Sequence, residues 1–82
     1  METGERAALA DRANEILNNE AFTDALQRLE DHYLDLSING ASVEMREEAR
    51  KFVQLVRALP GHFQAIVLDG TIAKQTIDKW NN

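Results

Sequence analysis

The side chains able to do chemistry sit in a few short stretches. His62 follows Pro60-Gly61 and precedes Phe63. A histidine there is a candidate general base or ligand, but a base needs an orienting partner and a proton to take. Asp69, on a comparable helical face, is seven residues away. His32 lies in "EDHYLD", among Glu30, Asp31 and Asp35. Those carboxylates suit a pH-sensitive contact. A di-iron helix pattern would need Glu three residues earlier, where Leu29 stands. Arg46, Arg50, Gln54 and Arg57 recur at helical spacing and form one stripe. Such a stripe grips phosphate or an acidic partner. It serves equally to face the acidic residues Glu30, Asp31 and Asp35 of a neighbouring helix. Asp69-Gly70-Thr71 offers backbone N–H groups to an anion at a helix start, and serves equally as a helix-capping turn. The structural alternative is preferred in each case. No nucleophile–base pair, metal set or phosphate loop can be assembled, so the expectation is no catalytic residue, no metal and no cofactor.

The elements that carry these residues are all helical. No window alternates in the manner of a strand. Leu9, Ala13, Ile16 and Leu17 share one face of a first helix. The apolar phase then slips, with a five-residue step from Leu17 to Phe22. Asn18 and Asn19 are poor in helix interiors and good N-caps, so a break is expected there. Phe22, Leu26, Leu29, Tyr33 and Leu36 advance by alternating steps of four and three, the mark of an amphipathic helix. Asn39-Gly40 is a stop signal through the left-handed conformation that either residue tolerates. Ser42 can cap the next helix. Met45, Ala49, Phe52, Val56, Leu59, Phe63 and Ile66 keep heptad phase across Pro60, which argues for a bend over a loop, with a break and a restart at Pro60 as first helical residue the alternative. Asp69-Gly70 reads as a second stop and Thr71 as the cap of a last short helix.

The expected fold is therefore all-α, an antiparallel helical hairpin with short flanking helices and its second long helix kinked at Pro60. Helices are expected over about 4–17, 20–37, 43–69 and 72–80, with residues 1–4 disordered, in one domain spanning 1–82. Leu34, Ile38, Leu55 and Leu68 lie outside the main stripes. A helix apolar on more than one side needs more than one neighbour.

Composition narrows the function. The chain has 82 residues and no cysteine, which removes disulfides, thiolate metal sites and cysteine nucleophiles. A chain this small has a marginal core, and oligomerisation is the usual remaining support. The net charge of −5 disfavours nucleic acid, whose binding needs a basic footprint. The charge is uneven: residues 1–36 hold nine acids and three bases, residues 37–82 five acids and six bases. Halves of differing sign suit packing on each other. No apolar run spans a bilayer, and the charged N-terminus lacks a signal peptide's apolar stretch, so a cytoplasmic location is expected.

Three stretches, "ILNNEAFTDALQRLEDHYLDL", "MREEARKFVQLVRAL" and "FQAIVLDGTIAKQ", together resemble small α-helical accessory proteins encoded among tailed-phage structural genes. The matching positions are Leu17 to Phe22, Leu29-Glu30 to Tyr33, and Asp69-Gly70 to Ala73, within roughly residues 16–77. Pro60-Gly61 departs from that pattern. The resemblance implies a context in the host cell or on the virion, and no residue-level mechanism. The leading expectation is a non-enzymatic assembly or accessory protein that self-associates through helices and meets phage particle proteins. Its interface is assigned to Leu26, Leu29, Tyr33, Phe52, Val56 and Leu59, with Arg50 and Arg57 as polar partners. The alternative is an antagonist of host defence that blocks a host protein or sequesters a nucleotide signal, with the arginine stripe lining a phosphate site.

Overall fold

The computed structural model describes residues 2–81, and among them there is no strand. Three helices follow in order: α1 over Thr3–Leu17, α2 over Glu20–Asn39 and α3 over Val43–Asn81. The disorder expected for residues 1–4 does not extend to Thr3 and Gly4, which are already in α1, while Met1 lies outside the described residues.

The first break falls where the apolar phase slips. Asn18 and Asn19 separate α1 from α2. The Asn19 side-chain oxygen accepts the Phe22 N–H at 2.9 Å, satisfying one of the donors a helix start leaves open. The second break, Gly40 to Ser42, is capped in the same way, with Ser42 Oγ accepting the Met45 N–H at 3.1 Å. Gly40 does not take the left-handed conformation expected of it: its φ is −58°. Glycine is needed there for space, since a Cβ would stand 2.6 Å from the Leu36 carbonyl oxygen.

The stop expected at Asp69-Gly70 does not occur. Helix α3 runs unbroken through Pro60 and Gly70 for 39 residues. Thr71 is no cap; its hydroxyl donates to the Val67 carbonyl at 3.0 Å inside the helix. Gly70 is instead a packing residue. A Cβ on it would lie 2.0 Å from the Ala10 Cβ and 3.0 Å from the Arg6 carbonyl oxygen. The two backbones approach closely there because neither side chain extends beyond a methyl group.

The packing is divided along α3. Helix α2 lies against its first half: Tyr33 stacks on Phe52 with centroids 4.9 Å apart, and Phe22 meets Phe63 edge-on at 5.5 Å. Positions earlier in α2 thus meet positions later in α3. Helix α1 lies against the second half, with Ala10 on Gly70 and Ile16 beside Phe63. The expected short helix over 72–80 is absent as a separate element, because that segment is the end of α3 and shares α1's seam. That seam is built from Ala10, Ala13 and Ala73, all buried; Leu9 and Leu17, expected to lead it, are half-buried, and Ile16 is exposed. The molecule measures 61 × 23 × 14 Å. Since one helix with its side chains is about 10–12 Å across, this is little more than a single layer of helices.

Candidate interaction surface

A single layer has no enclosed interior, and the burial pattern follows. The buried apolar residues are Ala10, Ala13, Ala49, Val53 and Ala73, and among the described residues no large side chain is fully buried. Large apolar groups collect on the two open faces instead. The face of each helix is set by its rotation about the seam. Ala49 and Val53 point into the α2–α3 seam on α3. Phe52, one position before Val53, and Met45, four before Ala49, turn partly out.

One face gathers around a groove lined by Tyr33, Leu36, Met45, Glu48, Ala49 and Phe52. Leu29 lies on this side of α2, seven residues before Leu36. Leu59 lies on this side of α3, seven residues after Phe52. Met45, Phe52 and Leu59 are 45%, 39% and 39% exposed, and Leu29 43%. Leu55, three residues after Phe52, is 64% exposed and widens the same ridge.

The opposite face is mixed. One groove of about 300 Å³ there is lined by Leu34, Ser37, Arg50, Val53, Gln54 and Arg57. A second, beside it, is lined by Thr23, Leu26, Gln27, Glu30, Val56, Arg57 and Pro60. The arginine stripe does not act as one unit. Arg57 Nε donates to Glu30 Oε1 across the helices. Arg46 turns back to donate to the Gly40 carbonyl at 2.8 Å, fastening the α2–α3 turn. Arg50 makes no ion pair among the described residues. The partners expected beside Glu30 are engaged elsewhere: Gln27 donates to Asp31 at 3.0 Å and Asn39 to Asp35 at 2.8 Å. Neither carboxylate receives an arginine.

The eight assigned interface residues are thus distributed over three settings. Leu26, Tyr33 and Val56 are half-buried in or beside the seam within one chain. Leu29, Phe52 and Leu59 sit half-exposed on the apolar face. Arg50 and Arg57 sit on the mixed face. Val53 and Leu55 were outside the assigned set, although one is the most buried side chain between α2 and α3 after Ala49 and the other the most exposed of the ridge. The signal for Val53 was its place three residues before Val56 and four after Ala49.

The strongest electrostatic feature lies in the α1 half. Arg6 grips the Asp69 carboxylate with two side-chain nitrogens, at 2.8 and 2.6 Å. Through that hydrogen bonding the Asp69 carboxyl is held below the usual carboxylate range and the Arg6 guanidinium above its own; partial burial opposes both shifts and charge attraction adds to them. Lys74 reaches Asp11 at 2.7 Å on the same seam. These pairs hold α1 and are consumed within the chain. His62 is exposed. His32 is exposed too, its ring in an edge-to-face arrangement with Tyr33 at 5.1 Å. Among the described residues no cluster of His, Cys, Asp and Glu is placed to hold a metal, and no helix is long and apolar enough to cross a membrane.

No protein-family model matches the chain, and neither a curated protein nor a solved structure matches it significantly.

Proposed function

We propose that this chain is a non-enzymatic assembly or accessory protein of a tailed phage or prophage, acting in the host cell or on the virion. It works by helix-mediated self-association and by contact with other particle proteins. Its working unit is an antiparallel hairpin of α2 and the first half of α3, bent at Pro60. The missing amide of that proline and the crowding of its ring against the Val56 carbonyl supply the bend.

One observation carries this reading. Among the described residues twelve large apolar side chains are at least 37% exposed and none is fully buried. Soluble monomers seldom leave so much apolar surface uncovered, and contiguous patches mark sites of protein contact. The phage context rests on the sequence resemblance. Light scattering at micromolar concentration should return a multiple of the 9.3 kDa chain mass; a well-behaved monomer would sink the self-association reading. Co-purification with a portal or capsid component tests the context.

Arg50, with no ion pair among the described residues, and the groove it shares with Gln54 and Arg57 favour a second reading, sequestration of a nucleotide signal in a defence-antagonist role. A thermal-shift screen separates the two. Stabilisation by a cyclic nucleotide supports sequestration, and its absence with an intact oligomer supports assembly. Replacing Arg57 by Glu opposes two carboxylates at the Glu30 pair and should weaken assembly more at low salt than at high salt.

A further inference from the structure

The geometry points to a second copy of this chain as the occupant of the apolar face formed by Leu29, Met45, Phe52, Leu55 and Leu59, packed face to face about a two-fold axis. The inference rests on the self-association reading and adds which of the two open faces is used.

Surface area supplies the first argument. A globular chain of this mass exposes about 5,000 Å², whereas this one exposes 6268 Å². The excess, about 1,300 Å², is larger than the roughly 800 Å² that each partner contributes to a standard stable interface. The extension agrees: the radius of gyration is 17.8 Å, against about 12 Å for a compact chain of this length. The chain therefore carries surplus surface on the scale of one full interface.

The choice of face follows from composition. Interface centres are depleted in charge and rich in aromatic and Met side chains. The groove of Tyr33, Leu36, Met45 and Phe52 has that character, with Glu48 its one lining charge. The mixed face places Glu30, Arg50 and Arg57 along its grooves, and these would lose water on burial at a cost. Met45, Phe52 and Leu59 repeat every seven residues. A seven-residue spacing keeps side chains on one line of a helix, the arrangement that interlocks with a like helix. A two-fold axis brings this ridge against itself, as isologous contacts require. The result is two stacked helical layers between which the half-exposed ridge becomes interior.

The test uses the full chain and sedimentation velocity, with helicity checked by circular dichroism. Leu55→Glu is placed on the ridge at a side chain 64% exposed in the single chain, and Ile38→Glu, 69% exposed on the outer side of α2, is the control. Leu55→Glu should raise the dimer dissociation constant by about 30-fold or more, as expected of a central interface residue, and Ile38→Glu should leave it within about threefold, as expected of a surface change away from a contact. Because the chain has no cysteine, Leu55→Cys provides a second readout that tolerates any loss of folding by the charged variant. Its single thiol should cross-link two chains with a short bifunctional maleimide, and Ile38→Cys should not. A wild-type monomer overturns this inference and the self-association reading together. A wild-type oligomer that keeps its affinity in Leu55→Glu, or fails to cross-link through Leu55→Cys, overturns this inference alone.

Discussion

The two halves of α3 are held by different means. Over residues 43–61 its partner is α2, and the contact is made by large groups that touch without being enclosed, such as the Tyr33–Phe52 stack. Over residues 62–81 its partner is α1, and the contact is made by Ala10, Ala13, Gly70 and Ala73, all buried. Close approach replaces bulk in the second half, and the ion pairs Arg6–Asp69 and Asp11–Lys74 reinforce it. The difference teaches where spare binding capacity lies. The small-residue seam itself closes within one chain, although Ile16, Leu68, Ile72 and Trp80 beside it stay exposed. The large-residue seam leaves its flanks uncovered and available to a partner.

The largest expected effect comes from overfilling the small-residue seam. Gly70→Leu must push α1 away, since even a methyl group meets Ala10 at 2.0 Å. The expected destabilisation is about 3 kcal/mol, the upper end for overpacking, measured by urea unfolding. Gly70→Ala should cost less but keep the same sign, although helix propensity alone favours Ala over Gly. A stabilised Gly70→Ala protein would show that the two helices do not approach as closely as described.

Phe52→Ala probes the other half. It removes the stack on Tyr33, and the expected cost is about 2 kcal/mol, below the range for a fully buried ring because the side chain is partly open to water. Should Phe52→Ala cost more than Gly70→Leu in the same titration, the ranking of the two seams reverses.

Gly61→Ala sharpens the comparison with Gly70 inside one helix. Nothing lies within 4 Å of the position its Cβ would take, so the substitution should stabilise by about 0.5–1 kcal/mol through the backbone entropy of the unfolded chain. A destabilised protein would mean that residue 61 is packed against something.

The smallest effect is acid sensitivity in the α1 half. Asp69 is held below the usual carboxylate range by Arg6. Its folded form therefore binds a proton less readily than the unfolded chain, and the stability this contributes is present above the ordinary carboxylate range. It is lost as pH falls through that range and below the depressed value. Asp69→Asn should flatten that acid dependence slightly while leaving neutral-pH helicity intact. An unchanged acid profile would detach the ion pair from α1 docking.

Much of the architecture was legible in the sequence. The helix class, the break at Asn18-Asn19 and the caps at Asn19 and Ser42 follow from periodicity and capping chemistry that act locally. The continuity of α3 was not legible, for a physical reason. Asp-Gly is a strong local stop signal, and tertiary contact overrides it here. The heptad from Met45 to Ile66 continues through Gly70, Ala73, Ile77 and Trp80, but a glycine in a seam position resembles a terminator until its partner helix is known. Seam rotation was illegible for a similar reason. Periodicity gives a stripe about 100° wide, and which edge of it turns inward depends on the facing helix. Hence Val53 is buried and Phe52 half-exposed. The assigned interface residues fell on both faces because a stripe read on one helix does not say which side remains uncovered.

The small-residue seam has a consequence for the order in which the molecule comes apart. Alanine and glycine each bury little apolar area, so α1 is docked by the closeness of its backbone to α3, and a loss of that fit releases the whole helix as a unit. When it lifts at Asn18-Asn19, the part of α3 beyond Phe63, which itself still meets Phe22 of α2, loses its facing helix. A lone helical segment of that length, preceded by Pro60 and containing Gly70, is marginal in water. Helix α1 and the end of α3 thus form one cooperative unit although more than 60 positions separate them in the chain, as in the pair of Arg6 and Asp69. Their backbone amides should exchange with deuterium together, and sooner than those of α2.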